Sequence, residues 1–129
     1  MRISVITVCF NCESTIENTI KSVINQDYKD IEYIIIDGAS TDNTLKIINN
    51  YDYKISKIIS EKDEGIYDAI NKGINIASGK IISLLHGNDI FADNSILSKV
   101  ANHFFNNKHL DVLIADVGFK RNLKDMKFS

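Results

Sequence analysis

The sequence predicts an α/β domain built in three layers, helices on both faces of a mostly parallel sheet, and three observations carry that expectation. Short β-branched runs alternate with stretches of helical periodicity through most of the 129 residues, which is the pattern of successive βαβ units. The run Ile31-Glu-Tyr-Ile-Ile-Ile36 is almost continuously apolar, as a strand buried on both faces must be. Polar or acidic residues stand just past several of these runs, at the sheet edge where open α/β folds bind ligands.

Taken in order, Ile3 to Cys9 reads as a buried first strand, and Phe10 to Glu13 as the turn after it. Ser14 and Glu17 have the spacing of a capping box, and Ile16, Ile20, Val23 and Ile24 fall on one face of the helix that follows, ending near Gln26. Ile31 to Asp37 is the second strand, and Asp42 opens a second helix to about Tyr51, buried through Leu45 and Ile48. Lys54 to Ser60 gives a third strand. An acidic turn, Glu61 to Gly65, leads to a helix whose inward face is Ile66, Ala69, Ile70, Gly73, Ile74 and Ala77, stopped by Gly79 as a C-terminal glycine. Lys80 to Leu85 is the fourth strand. Asp93-Asn94-Ser95 caps a helix carrying Leu97, Val100, Ala101 and Phe104 inward, and Leu110 to Val117 is the fifth strand. Asn122 to Ser129 has no predicted element. Residues 1–129 thus read as one domain of right-handed βαβ units.

Composition narrows the function. A hydrophobic content of 44% with 25% charged residues is ordinary for a folded soluble domain. A formal charge of -2 offers no basic excess to neutralise a nucleic-acid backbone. Apolar runs are too short to span a bilayer, and Met1-Arg-Ile-Ser-Val5 enters a strand without a signal core, so a cytoplasmic location is expected. Cys9 and Cys12 form a C-x-x-C pair after the first strand. With no proline in the chain to face such a motif, and no paired histidine ligands, they read as two small half-buried thiols in a reducing compartment.

The polar clusters supply the candidate chemistry. Asn11 follows the first strand, Asp37 to Asp42 the second, and His86-Gly87-Asn88-Asp89 the fourth. Turn and capping roles explain each alone. Together they outline one crevice, where an acid can accept hydrogen bonds from a base or ribose, or hold a hard divalent ion such as magnesium or manganese.

Four segments resemble the nucleotide-binding half of family 2 glycosyltransferases. They are Ser4-Val-Ile-Thr-Val-Cys-Phe-Asn11, Ile35-Ile-Asp-Gly-Ala-Ser-Thr-Asp-Asn-Thr44, Ser60-Glu-Lys-Asp-Glu-Gly-Ile-Tyr-Asp-Ala-Ile-Asn-Lys-Gly-Ile74 and Ala77-Ser-Gly-Lys-Ile-Ile-Ser-Leu-Leu-His-Gly-Asn-Asp89. Their order and spacing cover most of the first ninety or so residues. The resemblance implies a Rossmann-like GT-A fold that binds a nucleotide-diphosphate sugar. It implies that Thr7, Cys9 and Asn11 line the base pocket and that Asp37 contacts the base. Asp68, Asn71 and Lys72 would be polar contacts to ribose and diphosphate, with Lys72 supplying positive charge. His86-Gly87-Asn88-Asp89 occupies the place of the family's D-x-D-type motif, so Asp89 is the metal candidate, while His86 and Asn88 would touch ribose or phosphate. Asn88 stands where an acid is usual, which would weaken magnesium or manganese binding.

The resemblance further implies inverting transfer to a hydroxyl of a sugar or lipid-linked acceptor in bacterial surface polysaccharide synthesis, at the inner face of the membrane. The family's acceptor half supplies the catalytic base, and nothing after Phe119 resembles it. The catalytic base is therefore unassigned, the chain reads as truncated after the fifth strand, and the sheet edge so exposed could pair in a homodimer. Two other classes stay open: a nucleotide-binding module without turnover and, less favoured, a nucleotidyltransferase, which would carry a Gly-rich basic loop after the first strand. A phosphoacceptor receiver domain would need a paired acid cluster after the first strand and lacks one.

Overall fold

In the computed structural model, which describes residues 1–106, 113–116 and 127–128, the alternating pattern becomes one sheet. The strands are β1 (Ile3–Cys9), β2 (Ile31–Asp37), β3 (Lys57–Ser60), β4 (Ile81–Leu84), β5 (Leu113–Asp116) and β6 (Lys127–Phe128). The helices are α1 (Ile16–Ile24), α2 (Thr44–Asn49), α3 (Ile66–Ile76) and α4 (Ile96–Asn106), with a 3-10 turn at Asp52–Lys54. Strand order is β3-β2-β1-β4-β5-β6. All neighbours run parallel except β6, which pairs antiparallel with β5.

β1 is buried along its whole length because both its faces are covered. On one face Ile3 and Val5 pack with Tyr33 and Ile35 of β2, with Ile16, Ile20 and Val23 of α1, with Ile48 of α2, and with Leu97, Val100 and Phe104 of α4. On the other, Ile6, Val8, Ile34 and Ile36 pack against α3 through Ala69, Ile70 and Ile74. Each fully buried isoleucine contributes about 1.5–3 kcal/mol. Gly73 lets α3 settle this closely, since a β-carbon there would stand 2.5 Å from Ile6 Cγ2.

Several local expectations are corrected. The Ser14/Glu17 capping box does not form: α1 starts at Ile16 after Thr15 with no side-chain cap, because Glu17 accepts the Tyr51 hydroxyl at 2.7 Å instead. Asp42 accepts the Thr44 amide at 2.9 Å, two residues before the second helix begins. Gly79 is not a left-handed C-terminal residue; it is needed because a β-carbon would lie 2.7 Å from Ser4 N and 2.8 Å from the Arg2 carbonyl. Ile66 is 48% exposed, since the first turn of α3 overhangs the end of the sheet. The third strand begins only at Lys57, after the 3-10 turn. Of the expected strand Leu110 to Val117, the described part is Leu113–Asp116, and the rest lies outside the described residues. The edge expected to be open beside β5 carries β6, opposite Ala115 and Asp116.

The hand of the last crossover is also unexpected. α4 shares a face with α1 and α2, although β4 to β5 steps across the sheet in the direction opposite to β1 to β2. Its hand is therefore opposite to that of the three preceding units. Gln26 accounts for this by anchoring the start of α4 to α1: its amide donates to the Asp93 carbonyl at 2.6 Å and its oxygen accepts the Leu97 amide at 3.1 Å.

Candidate functional site

The parallel register sets Cys9 beside Asp37 and Asp37 beside Ser60 at the carboxyl ends of β1, β2 and β3. Beyond β4 the chain stays against β1, with the Gly87 amide donating to the Val8 carbonyl at 2.9 Å. Above this edge lies a cleft of about 720 Å³. Its walls are the β1 turn from Cys9 to Cys12, Ser14 and Thr15 entering α1, Gly38, Lys62 and Asp63 past β3, Gly65, Ile66 and Ala69 of α3, and His86 to Asn88.

The loops at this edge hold one another. Asn11 takes a left-handed conformation, φ 50, which asparagine tolerates well, and its side-chain oxygen accepts the Thr41 amide at 2.8 Å. The Asn11 amide donates to the Ser40 hydroxyl oxygen at 2.8 Å and the Cys12 amide to Thr44 Oγ1 at 2.8 Å. Asp37 lies beneath, fully buried. Its carboxylate accepts the Ser40 amide at 3.1 Å and the Ser60 hydroxyl at 2.7 Å, together with the Ser40 hydroxyl. Cys9 Sγ stands 3.6 Å from the same carboxylate. Burial, and then the charge of Asp37, push the Cys9 thiol far up, so it stays protonated and inert.

The loop after β4 is equally fixed. Thr15 Oγ1 donates to the Gly87 carbonyl at 2.9 Å. The Thr19 hydroxyl lies 2.6 Å from the Asp89 carbonyl and 3.0 Å from that of Gly87, and its single proton serves one at a time. A β-carbon on Gly87 would come within 2.7 Å of Cys9 Cβ and 3.1 Å of Cys12 Sγ, so glycine is the residue that lets this loop lie on β1.

On the opposite wall Gly65, at φ 101, turns the chain into α3. The Glu64 amide donates to Asp68 at 2.8 Å, and that bond, helped by Lys72, lowers the Asp68 carboxyl. Lys72 Nζ is 2.6 Å from Asp63, 3.2 Å from Glu61 and 3.5 Å from Asp68. These bonds, above all the one to Asp63, raise the lysine well beyond its ordinary range.

Of the residues expected from sequence, Cys9, Asn11, His86 and Asn88 stand on the cleft wall. Thr7 does not: it is fully buried and its hydroxyl bonds Tyr33 Oη at 2.9 Å. Asp37 lies below the wall, and Asp68, Asn71, Lys72 and Asp89 lie outside it. Sequence reasoning missed Asp63, Lys62 and Ile66, whereas Phe10 lies within the first-strand end, Thr7 to Asn11, expected to line the base pocket. The available signal for Asp63 and Lys62 was their position just past the end of β3, equivalent to that of the other polar clusters. Among the described residues no three His, Cys, Asp or Glu side chains converge as a metal site. Asp89 with the Asn88 amide oxygen offers hard oxygen donors, which fit an ion that takes most of its remaining ligands from phosphate and water. No helix among the described residues is long and apolar enough to cross a membrane.

The family model of glycosyl transferase family 2 matches residues 4–127. An uncharacterized glycosyltransferase of Mycobacterium tuberculosis is 38% identical over 98 residues, covering 75% of this chain and 37% of that protein. The Escherichia coli UDP-Glc:alpha-D-GlcNAc-diphosphoundecaprenol beta-1,3-glucosyltransferase WfaP is 37% identical over 105 residues, 79% of this chain and 40% of its own length. The chain thus spans well under half of these two relatives. Among solved structures, S. aureus TarS 1-349 in complex with UDP-GlcNAc superposes with TM-score 0.77 at 24% identity, over 84% of this chain and 32% of that one. The mannosyltransferase PcManGT from Pyrobaculum calidifontis, in complex with GDP-Man and Mn2+, gives TM-score 0.74 at 22% identity, over 80% and 32%. At these identities the superpositions speak for the fold, which is GT-A.

Proposed function

This chain belongs to glycosyl transferase family 2, and from that premise we propose that it forms the donor-binding part of an enzyme that transfers a sugar from a nucleotide diphosphate to an acceptor hydroxyl. The observation that carries the proposal is the cleft of about 720 Å³ at the carboxyl ends of β1, β2 and β4, a size suited to a ligand of this class and placed where open α/β sheets bind nucleotides. Its walls combine apolar surface from Val8, Phe10 and Ile66 for a base with Asn11, Asp63, His86 and Asn88 for polar groups.

In the reaction we propose, the acceptor oxygen attacks the anomeric carbon as the bond from that carbon to the diphosphate oxygen breaks, inverting the configuration. The acceptor proton goes to a base outside the residues assigned here. Asn88 and His86 orient the phosphates as they take up charge. A divalent ion held by Asp89 and Asn88 would supply neutralisation of the leaving diphosphate. The acceptor in the name of WfaP, an alpha-D-GlcNAc-diphosphoundecaprenol, supports a lipid-linked sugar as acceptor. A second reading, a nucleotide-binding module without turnover, is favoured by Asn88 at a position where many family members have an acid.

Calorimetric titration with UDP, GDP and dTDP, each with and without manganese, tests the proposal. One nucleotide should bind more tightly with manganese, and Asp89→Asn should abolish that increment while metal-free binding persists. Absence of binding by the folded chain would overturn the donor-site assignment.

A further inference from the structure

The expectation that Lys72 reaches a diphosphate conflicts with its surroundings. Its ammonium is held by Asp63 at 2.6 Å, Glu61 at 3.2 Å and Asp68 at 3.5 Å, and it also donates to the Lys62 carbonyl at 3.1 Å. Three carboxylates around one cation leave the cluster net negative, a poor seat for a phosphate. Asp63 is different from the other two acids. Its side chain is 12% exposed against 59% for Glu61 and 38% for Asp68, and it stands on the cleft wall with Gly38. Lys72 engages Oδ1. Oδ2 points to Gly38, 3.0 Å from where a β-carbon on that residue would be, and it accepts no hydrogen bond among the described residues.

We propose that Lys72 is a positioning residue: by pairing with Asp63 Oδ1 it turns Oδ2 toward the cleft, where Asp63 accepts a hydrogen bond from the nucleoside part of the ligand. The inference rests on the cleft being a nucleotide site. A base carries N–H donors and a ribose carries hydroxyls, whereas an ionised diphosphate has only acceptors and would be repelled by a carboxylate. The Asp63 end of the cleft therefore takes the nucleoside, and the phosphates lie toward His86 and Asn88. Glycine at position 38 belongs to the same device, since a side chain there would press on Oδ2. Without Lys72 the three acids repel one another, and Asp63 has no partner fixing its orientation.

The test is calorimetric titration with UMP, UDP, GMP and GDP, all with manganese, on the wild type, Lys72→Met, Lys72→Arg, Asp63→Asn and the Lys72→Met/Asp63→Asn double variant. Lys72→Met should weaken the monophosphate and diphosphate of the preferred base by the same factor, about tenfold, the scale of one charge-assisted hydrogen bond. Lys72→Arg should restore most of the affinity, and the double variant should bind no more weakly than Asp63→Asn alone. A Lys72→Met loss that is greater for the diphosphate, or additive losses in the double variant, would show a direct phosphate contact and overturn the inference. If Lys72→Met loses its helical circular dichroism, Asp63→Asn decides: an equal loss for mono- and diphosphate supports the nucleoside contact, and an unchanged affinity overturns it. A wild type that binds none of the four overturns the donor-site reading itself.

Discussion

β2 carries a buried acid at each end, and the two ends of the molecule use them differently. At the amino end Glu32, 7% exposed, accepts the Ser4 hydroxyl at 2.7 Å, the Ser78 amide at 2.8 Å and the Ser78 hydroxyl at 2.9 Å, and pairs with Lys57 at 3.3 Å. It fastens the segment between α3 and β4 to the edge of the sheet, away from the cleft. At the carboxyl end Asp37 accepts from Ser40 and Ser60 and forms no ion pair among the described residues. The first carboxylate is neutralised and closes a joint. The second has no cation against it among the described residues, lies beneath an open cleft and holds the loops that form the cleft floor. Identical chemistry thus gives a fastener at one end and a preorganised platform at the other.

The largest expected effect tests whether the platform is also structural. Asp37→Ala should destabilise the chain by about 3–5 kcal/mol, because it removes the fully buried carboxylate that accepts the Ser40 amide and the Ser40 and Ser60 hydroxyls, and leaves a void. Urea unfolding measures this, and a loss below about 1 kcal/mol would mean that Asp37 is not holding the loops. Asp37→Ala is accordingly a poor probe of ligand contact.

The next effect concerns the fastener and depends on pH. Burial alone would raise the Glu32 carboxyl, but the bonds from Ser78, Ser4 and Lys57 outweigh it and bring it down from 4.5 to about 2. The folded state therefore binds this proton less readily than the unfolded chain. Its contribution, about 2–3 kcal/mol, is fully present above pH 4.5 and is lost as pH falls towards 2. Unfolding free energy measured across that window should fall less steeply in Glu32→Gln than in the wild type. Parallel slopes would show that Glu32 does not supply the acid sensitivity.

The strands, their parallel sheet and the crevice were legible because buried β-branched runs and their terminal polar residues carry their own pattern; the order of the strands was not. Nor was the fate of individual polar side chains. Asp68 and Lys72 are four apart on a helix, so their pairing is readable, but the shorter bond from Lys72 to Asp63 depends on the turn at Gly65. Asp37 and Glu32 look alike in sequence, and only the loops that fold over Asp37 separate their roles. Ile66 obeys the helical period of α3 yet overhangs the cleft, because periodicity specifies a face and not where the sheet beneath it ends. The face taken by α4 depends on Gln26 reaching Asp93 and Leu97, a pairing about 70 residues apart that no local pattern reports.

The smallest effect separates the two ends by sign. Among the described residues the two left-handed non-glycine residues, Asn11 at φ 50 and Ala39 at φ 63, are at the cleft end, and for alanine this conformation costs about 1–2 kcal/mol. Ala39 precedes Ser40, whose amide and hydroxyl bond Asp37, so the strain sits in the segment that builds the platform. Ala39→Gly removes the strain but adds freedom to the unfolded chain, about 0.4–1 kcal/mol, for a net gain of about 0.5 kcal/mol. Ala77, at φ -70 and ψ 139, lies beside the fastener at Ser78 without strain, and Ala77→Gly should lose about 0.5–1 kcal/mol. Urea midpoints moving in opposite directions would place the stored strain at the cleft. If both variants lose stability, Ala39 is not strained and the contrast between the ends reduces to charge alone. If Ala39→Gly gains stability while nucleotide affinity falls, the strain is what holds Ser40 in place for the ligand.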